Sequence, residues 1–506
     1  MNRRDVIKIL GSAVALPALP AFAQSGNNQL RVLFSQIIPD INPYMNLQRT
    51  GLTVSHHVWD TLVHRNSSTY EHEPLLAKSW EWISPTVLEL QLRDDVIFHN
   101  GDKFSADDVV FTVNKVSHPD AKVSVPSNVR WMAGAEKVSD HVVRINLKYP
   151  LPAALDYLAL AVPILPKAYM EAVGDAKFSQ EPIGCGPYRL TRVEPGVAAD
   201  MELFDGYYEG SAKGRPAIGR ISLKFVTDAG TQLTELLSGN ADWIWDVSND
   251  QIENLARVPR FNVLRTPSMR IAYLRMDAAG VTGKDNPLTN IKVRQAIFHA
   301  IDRPTLARQL ISPAAEVPRA TCFPLQKGCN TDDATDYPYD PDKARALLAE
   351  AGYPDGFSTK LVSFLSPNIL AAIQGFLGKV GIKLEVEFLL AAAAIQKNAQ
   401  GETPLYLASW GSYSVMDVSA SLNKLFSGDP DDYARDEEIL KYLTEAKGAI
   451  DDDERAALYS KVLNRAMEMA YIVPLYTSVM NYAFSADLEF QAQPDELPRF
   501  YEAKWK

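Results

Sequence analysis

The feature that most restricts the fold is a recurring succession of strand-forming run, capped helix and second strand. Residues 221–226 read as a strand, residues 231–237 as a helix that stops at Gly239, and residues 241–245 as the next strand. Residues 30–34 form an earlier strand of the same kind. Ser105 caps a helix whose first turn carries Asp107 and Asp108, and Val109, Val110, Val113 and Val116 supply its apolar face. Asp340 caps another helix. Pro341 suits its first turn, Gly352 and Pro354 end it, and Leu347, Leu348 and Ala351 share one face. Residues 88–98 alternate as a strand should and lead into a tight Asn100-Gly101 turn, and residues 138–147 read as a hairpin feeding a strand. A late helix opens at Asp451-Asp452-Asp453-Glu454 and runs to about Ala470. Its acidic start suits the positive end of the helix dipole and needs no calcium. Strands alternating with helices in this way predict an α/β protein.

At 506 residues the chain is long enough for two to three domains. Its net charge of −11 argues against nucleic acid as a partner, because phosphate binding needs a dense basic face. The N-terminus, Asn2-Arg3-Arg4-Asp5-Val6-Ile7-Lys8, is followed by a moderately apolar run over residues 9–22 and by Ala21-Phe22-Ala23. Residues 1–23 therefore read as a signal peptide of twin-arginine type, cut before Gln24, with an ordinary secretory signal as the alternative. Removing them takes away three cationic side chains and one anionic one, which leaves a net charge of −13. The first cysteine is Cys185, so no lipid-anchored N-terminal cysteine is expected, and the expected compartment is the periplasm. Cys322 and Cys329 lie seven residues apart in a segment with Pro324 and Gly328. A disulfide suits an exported chain, and two free thiols are the alternative.

Catalytic motifs are missing. His72-Glu73 begins like a zinc-binding helix, but Leu76 stands where the second histidine belongs and Pro74 would break the helix. The sequence has no Gly-x-Ser-x-Gly elbow and no phosphate-binding loop. His56, His57 and His64 cluster near Trp59 and read as packing residues. The expectation is a protein that is not an enzyme and uses no metal or cofactor.

A series of segments carries a family resemblance. In order they are residues 59–63, residues 74–81, the run Leu92 through Gly101, the run Phe104 through Val110, Pro182-Ile183-Gly184-Cys185-Gly186-Pro187-Tyr188, Val293-Arg294-Gln295-Ala296 with Ala300-Ile301-Asp302-Arg303, Ala349 through Pro354, and Ile472-Val473-Pro474-Leu475-Tyr476. Together they resemble the bacterial extracellular solute-binding proteins of family 5, which serve peptide, nickel and opine importers. The resemblance implies a two-lobe periplasmic binding protein fold, type II-like and of cluster C, with an extra subdomain in the first lobe. The expected first-lobe core is 24–60, 181–266 and 478–506, the extra subdomain 61–180, and the second lobe 267–477. His99 is expected to steady a hairpin. The implied partners are a small ligand, such as a peptide or opine-like compound, and an inner-membrane ABC permease, with the protein a monomer that binds no nucleic acid. A periplasmic sensor that presents ligand to a receptor is the alternative within binding proteins, and a periplasmic hydrolase the alternative outside them.

The resemblance also points to the cleft. Ser409-Trp410-Gly411-Ser412-Tyr413 is similar to a family segment that lines the site, with Trp410 as a broad wall and an indole donor. Met269 and Arg270, after Pro267, and Trp131 are further candidates. Peptide-binding relatives commonly place an aspartate three residues after the cleft tryptophan, where it pairs with a peptide ammonium. Tyr413 stands there in this chain, and Asp417 is the candidate substitute. A buried ammonium without an anionic partner is costly, so peptides with free N-termini are the less favoured ligands.

Overall fold

A computed structural model of the chain describes residues 28–46, 48–449 and 451–506. The expected signal peptide at 1–23 lies outside the described residues. The architecture is a mixed α/β fold around one ten-stranded sheet. In spatial order its strands are Ile382–Phe388, Phe357–Ser363, Leu405–Trp410, Phe261–Met276, Ile472–Ser485, Trp243–Trp245, Gln29–Phe34, Arg220–Phe225, Ala198–Leu203 and Tyr188–Glu194. Gln29–Phe34 pairs in parallel with both neighbours, as does Phe357–Ser363, whereas the central strands pair antiparallel. A separate four-stranded sheet contains Ala77–Ser84, Val87–Leu92, Val142–Leu147 and Met132–Ser139.

The helices form where their ends are signalled. Ser105 and Asp108 close a reciprocal capping box on Ala106–Ser117. Asp340 caps Pro341–Glu350 through the Lys343 amide, and Gly352 beyond its end takes a φ of 91°. Asp451 caps Asp452–Glu468 through the Asp453 and Glu454 amides, so the acidic cluster sits at a helix start. One element is shorter than its sequence suggests. The strand expected over 88–98 ends at Leu92, because Arg93, Asp94 and Asp95 turn out to exposed ion pairs and the chain then folds into the Asn100-Gly101 turn.

Two large apolar cores lie along the sheet. One gathers side chains from Leu30 to Trp245 together with Tyr482 to Ala503, and the other gathers side chains from Ala272 to Tyr476. The paired strands Phe261–Met276 and Ile472–Ser485 run through both. Their register slips between Pro267 and Ile271, where one core gives way to the other.

The Pro182–Tyr188 segment shows why its glycines are required. A Cβ on Gly184 would meet the Val58 carbonyl oxygen at 2.0 Å, and one on Gly186 would meet the His57 carbonyl oxygen at 2.7 Å. The close approach lets the Gly186 amide donate to the Val58 carbonyl at the end of the helix Arg49–Val58. His99 locks the same segment to its turn: its amide donates to the Gly184 carbonyl, the Gly184 amide donates to Nδ1, and Nε2–H donates to the Gly186 carbonyl. Cys322 and Cys329 are joined by a disulfide with their Cα atoms 5.8 Å apart, and Cys185 is a free, buried thiol. No helix among the described residues is long and apolar enough to cross a membrane.

Candidate functional site

Strand alternation builds one wall of a cavity. Phe261–Met276 and Leu405–Trp410 are antiparallel, with Ile271 opposite Trp410, Tyr273 opposite Ala408 and Arg275 opposite Tyr406. The period of two turns Tyr273 and Arg275 to the same face as Tyr406, Ala408 and Trp410. All five line a cavity of about 730 Å³. The opposite wall comes from residues 127–157, chiefly Trp131 and Tyr157, whose side chains belong to or pack on the first core, and the exposed Tyr149. Side chains from both cores therefore face one space, and its walls are rich in aromatic rings.

Of the residues singled out in the sequence, Trp131, Trp410 and Tyr413 meet at this cavity. Trp410 and Tyr413 pack edge to face with centroids 4.7 Å apart, and the Lys424 ammonium lies 5.7 Å from the Trp410 ring centre. The Trp410 Nε1–H is buried and has no hydrogen-bond partner, whereas Trp131 donates its Nε1–H to the Asn128 carbonyl at 2.8 Å. The other candidates lie behind the wall. Met269 packs with Ile271, Phe323 and Met416. Arg270 is held by Glu496 at 3.0 Å, and Ser412 shares its hydroxyl with Ser421. Gly411 presents its carbonyl to Arg49. Asp417 is 1% exposed, takes the Ser419 amide and pairs with Arg455 at 3.4 Å. Burial raises its carboxyl above the usual range in spite of that arginine. It reaches an adjoining 520 Å³ cavity, not the one that Trp410 lines.

The segment after Trp410 is held in an unusual conformation. Ser412, Tyr413 and Ser414 all have positive φ, at 50°, 50° and 65°. Each such non-glycine residue costs about 1–3 kcal/mol and persists only where its surroundings enforce it. The surroundings are ionic. Arg65 donates to the Ser414 carbonyl at 2.6 Å and to Asp495 at 2.8 Å, and the Ser414 hydroxyl donates to the Asp495 carbonyl at 2.6 Å. Arg49 and Arg270 both pair with Glu496. Burial opposes ionisation of Asp495 and Glu496, but the arginines beside them outweigh it and hold both carboxyls below their usual range. Charged groups beside the strand crossover, where Phe261–Met276 and Ile472–Ser485 pass from one core to the other, thus clamp the loop that carries Tyr413.

Several wall residues were not singled out in the sequence: Tyr157, Tyr273, Arg275, Asn398, Tyr406 and Lys424. One signal was available for Arg275, a lone arginine within the apolar run Ile271-Ala272-Tyr273-Leu274-Arg275-Met276.

A model of the bacterial extracellular solute-binding proteins, family 5 Middle, matches residues 71–433. Heme-binding protein A of Haemophilus influenzae is 25% identical over 90% of this chain and 88% of its own length. Glutathione-binding protein GsiB of Salmonella paratyphi A is 29% identical over 80% of each chain. The structure of HbpA2 from Haemophilus parasuis superimposes with a TM-score of 0.83 at 26% identity, covering 94% of this chain and all of that one.

Proposed function

Because this chain belongs to the bacterial extracellular solute-binding proteins of family 5, we propose that it captures a small peptide-like organic solute between its two lobes and delivers it to an inner-membrane ABC permease. The observation that carries this reading is the aromatic cavity of about 730 Å³ whose walls come from both cores. Its size falls within the range of sites that enclose small organic ligands. The glutathione-binding relative supports a peptide-like solute. Capture without catalysis is the activity that such a site supports. In this reading residues 267–477 form the second lobe and residues 61–180 the extra subdomain of the first, and closure about the strand crossover buries the ligand.

Export places the protein in the periplasm. The paired Arg3 and Arg4 ahead of an apolar run support the twin-arginine route. Replacing both with lysine is expected to reduce the periplasmic yield on cell fractionation, and an undiminished yield contradicts that route.

Binding is tested by calorimetric titration of protein that has been unfolded, stripped of ligand and refolded, using glutathione and a panel of free and N-acetylated dipeptides. Saturable binding at one site per chain is expected for at least one compound. Trp410→Ala, by removing an aromatic wall, should weaken that binding by about 2 kcal/mol, roughly 30-fold. A folded Trp410→Ala variant that binds like the wild type contradicts the placement of the cleft.

A further inference from the structure

The adjoining cavity of 520 Å³ has an apolar wall built from the strand Ala77–Ser84 and from residues 150–155. Trp80 and Trp82 lie on one face of that strand, opposite Leu90 and Leu88 of the neighbouring strand. Both leucines are fully buried, whereas the two indoles are only half-buried and line the cavity. The register slips between Trp82 and Ser84, which leaves Ile83 without a partner across the ladder. Ile83 is 50% exposed and lines the cavity as well, and Leu151 and Leu155 complete the wall. Apolar surface left open to water forfeits about 25 cal/mol per Å², which a molecule that covers it recovers.

The carboxylates of this cavity are already satisfied. Asp417 pairs with Arg455 at 3.4 Å, Asp452 with Arg455 at 2.7 Å and with Lys327, and Asp156 with Arg65 at 3.4 Å. At the cavity Lys327, Lys447 and Arg455 stand against Asp156, Asp417 and Asp452, three charges of each sign. Such a lining asks for no charge from a ligand, and a charged ligand would lose its hydration without gaining a free counter-charge. Trp80, Trp82 and Leu155 pack on the first core, and Ala449 across the cavity packs on the second. The cavity shares Pro150, Leu151, Pro152 and Lys447 with the larger one, but none of Trp131, Trp410 or Tyr413. Its volume lies in the range of small-molecule sites. We propose that it is a second binding site, for an uncharged aromatic molecule that packs against Trp80 and Trp82 and touches both cores. This site is additional to the solute site and does not depend on which solute that one holds.

The test titrates N-phenyl-1-naphthylamine, an uncharged dye that fluoresces in apolar surroundings, into ligand-stripped protein. Its anionic analogue 1-anilinonaphthalene-8-sulfonate is the charged counterpart. Wild type is expected to bind the uncharged dye saturably, and roughly tenfold more tightly than the sulfonate. Ile83→Glu, at an exposed position, should weaken binding of the uncharged dye roughly tenfold by placing a carboxylate in the apolar wall. Trp82→Ala should weaken it comparably by removing a ring. Trp410→Ala should leave it unchanged, because that ring lines the other cavity. Thermal melting reports whether each variant is folded, and Ile83→Glu decides the matter if Trp82→Ala does not fold. Absence of saturable dye binding overturns the site, as does equal or tighter binding of the sulfonate. Dye binding that Trp410→Ala weakens and folded Ile83→Glu leaves unchanged belongs to the larger cavity and overturns the site too. None of these outcomes bears on solute capture, which the peptide titrations of wild type and Trp410→Ala read separately.

Discussion

Single residues carry charges that the surroundings either satisfy or forbid. His57 is fully buried against Tyr188, Phe500 and Tyr501, with Nδ1–H donating to the Thr53 carbonyl at 2.6 Å. Burial drives its pKa down from 6.5 to about 3. The unfolded chain therefore takes up a proton near pH 6.5 that the folded chain refuses until about pH 3. Stability from this residue is present above pH 6.5 and is lost as the pH falls toward 3. Between pH 7.5 and 5 the loss is about 2 kcal/mol. His57→Phe keeps a ring in the site and removes the titration. Its unfolding free energy, measured in urea at the two pH values, should fall by about 2 kcal/mol less than that of wild type. An unchanged pH dependence contradicts a buried neutral His57. Sequence segments that resemble the family point to Trp410 as a wall residue. They do not reveal that Arg275 joins it, because that depends on which strand pairs with which and in what register.

Elements were legible where their ends are marked. The helix Pro341–Glu350 has its cap, its proline and its glycine in the sequence, so it is visible without tertiary context. The strand Phe261–Met276 is different. Its sixteen residues include Pro267 and three arginines, and what makes it a strand is its pairing with Ile472–Ser485, some two hundred residues away. The left-handed run Ser412–Ser414 was equally hidden, since serine and tyrosine do not signal positive φ. It exists because Arg65 and Asp495, both remote in sequence, hold it. At this scale the disulfide closing residues 322–329 is also testable. Loop-closure entropy for a ring of this size gives about 2–3 kcal/mol. Cys322→Ala with Cys329→Ala should lower the unfolding free energy by roughly that amount, and non-reducing peptide maps of the wild type should show the linked pair. Full alkylation of both cysteines without reductant contradicts the bridge.

At the scale of the whole molecule, the two cores meet at two strands and a set of buried charges. Glu496 is 4% exposed and holds Arg49 and Arg270 together beside the bulge at 267–271. Removing one partner of such a group leaves the others uncompensated. Glu496→Gln is therefore expected to cost roughly 3 kcal/mol in urea unfolding, far more than the loss of an exposed pair such as Lys78–Asp94. Equal effects of the two changes contradict a structural role for the crossover charges. The family and its two-lobe architecture were readable from segments spread along the chain, because many of these serve packing: Gly184 and Gly186 at the Val58 carbonyl, and His99 beside them. The cavity was readable only in part, because one wall comes from residues 127–157 and the other from residues 273–459. Native mass spectrometry of freshly purified protein is the most direct test of capture between the lobes. The account predicts a complex of one chain with one small organic molecule, released on denaturation and lost in folded Trp410→Ala. Wild type that carries no such molecule and gains none on exposure to a small-molecule cell extract would contradict it.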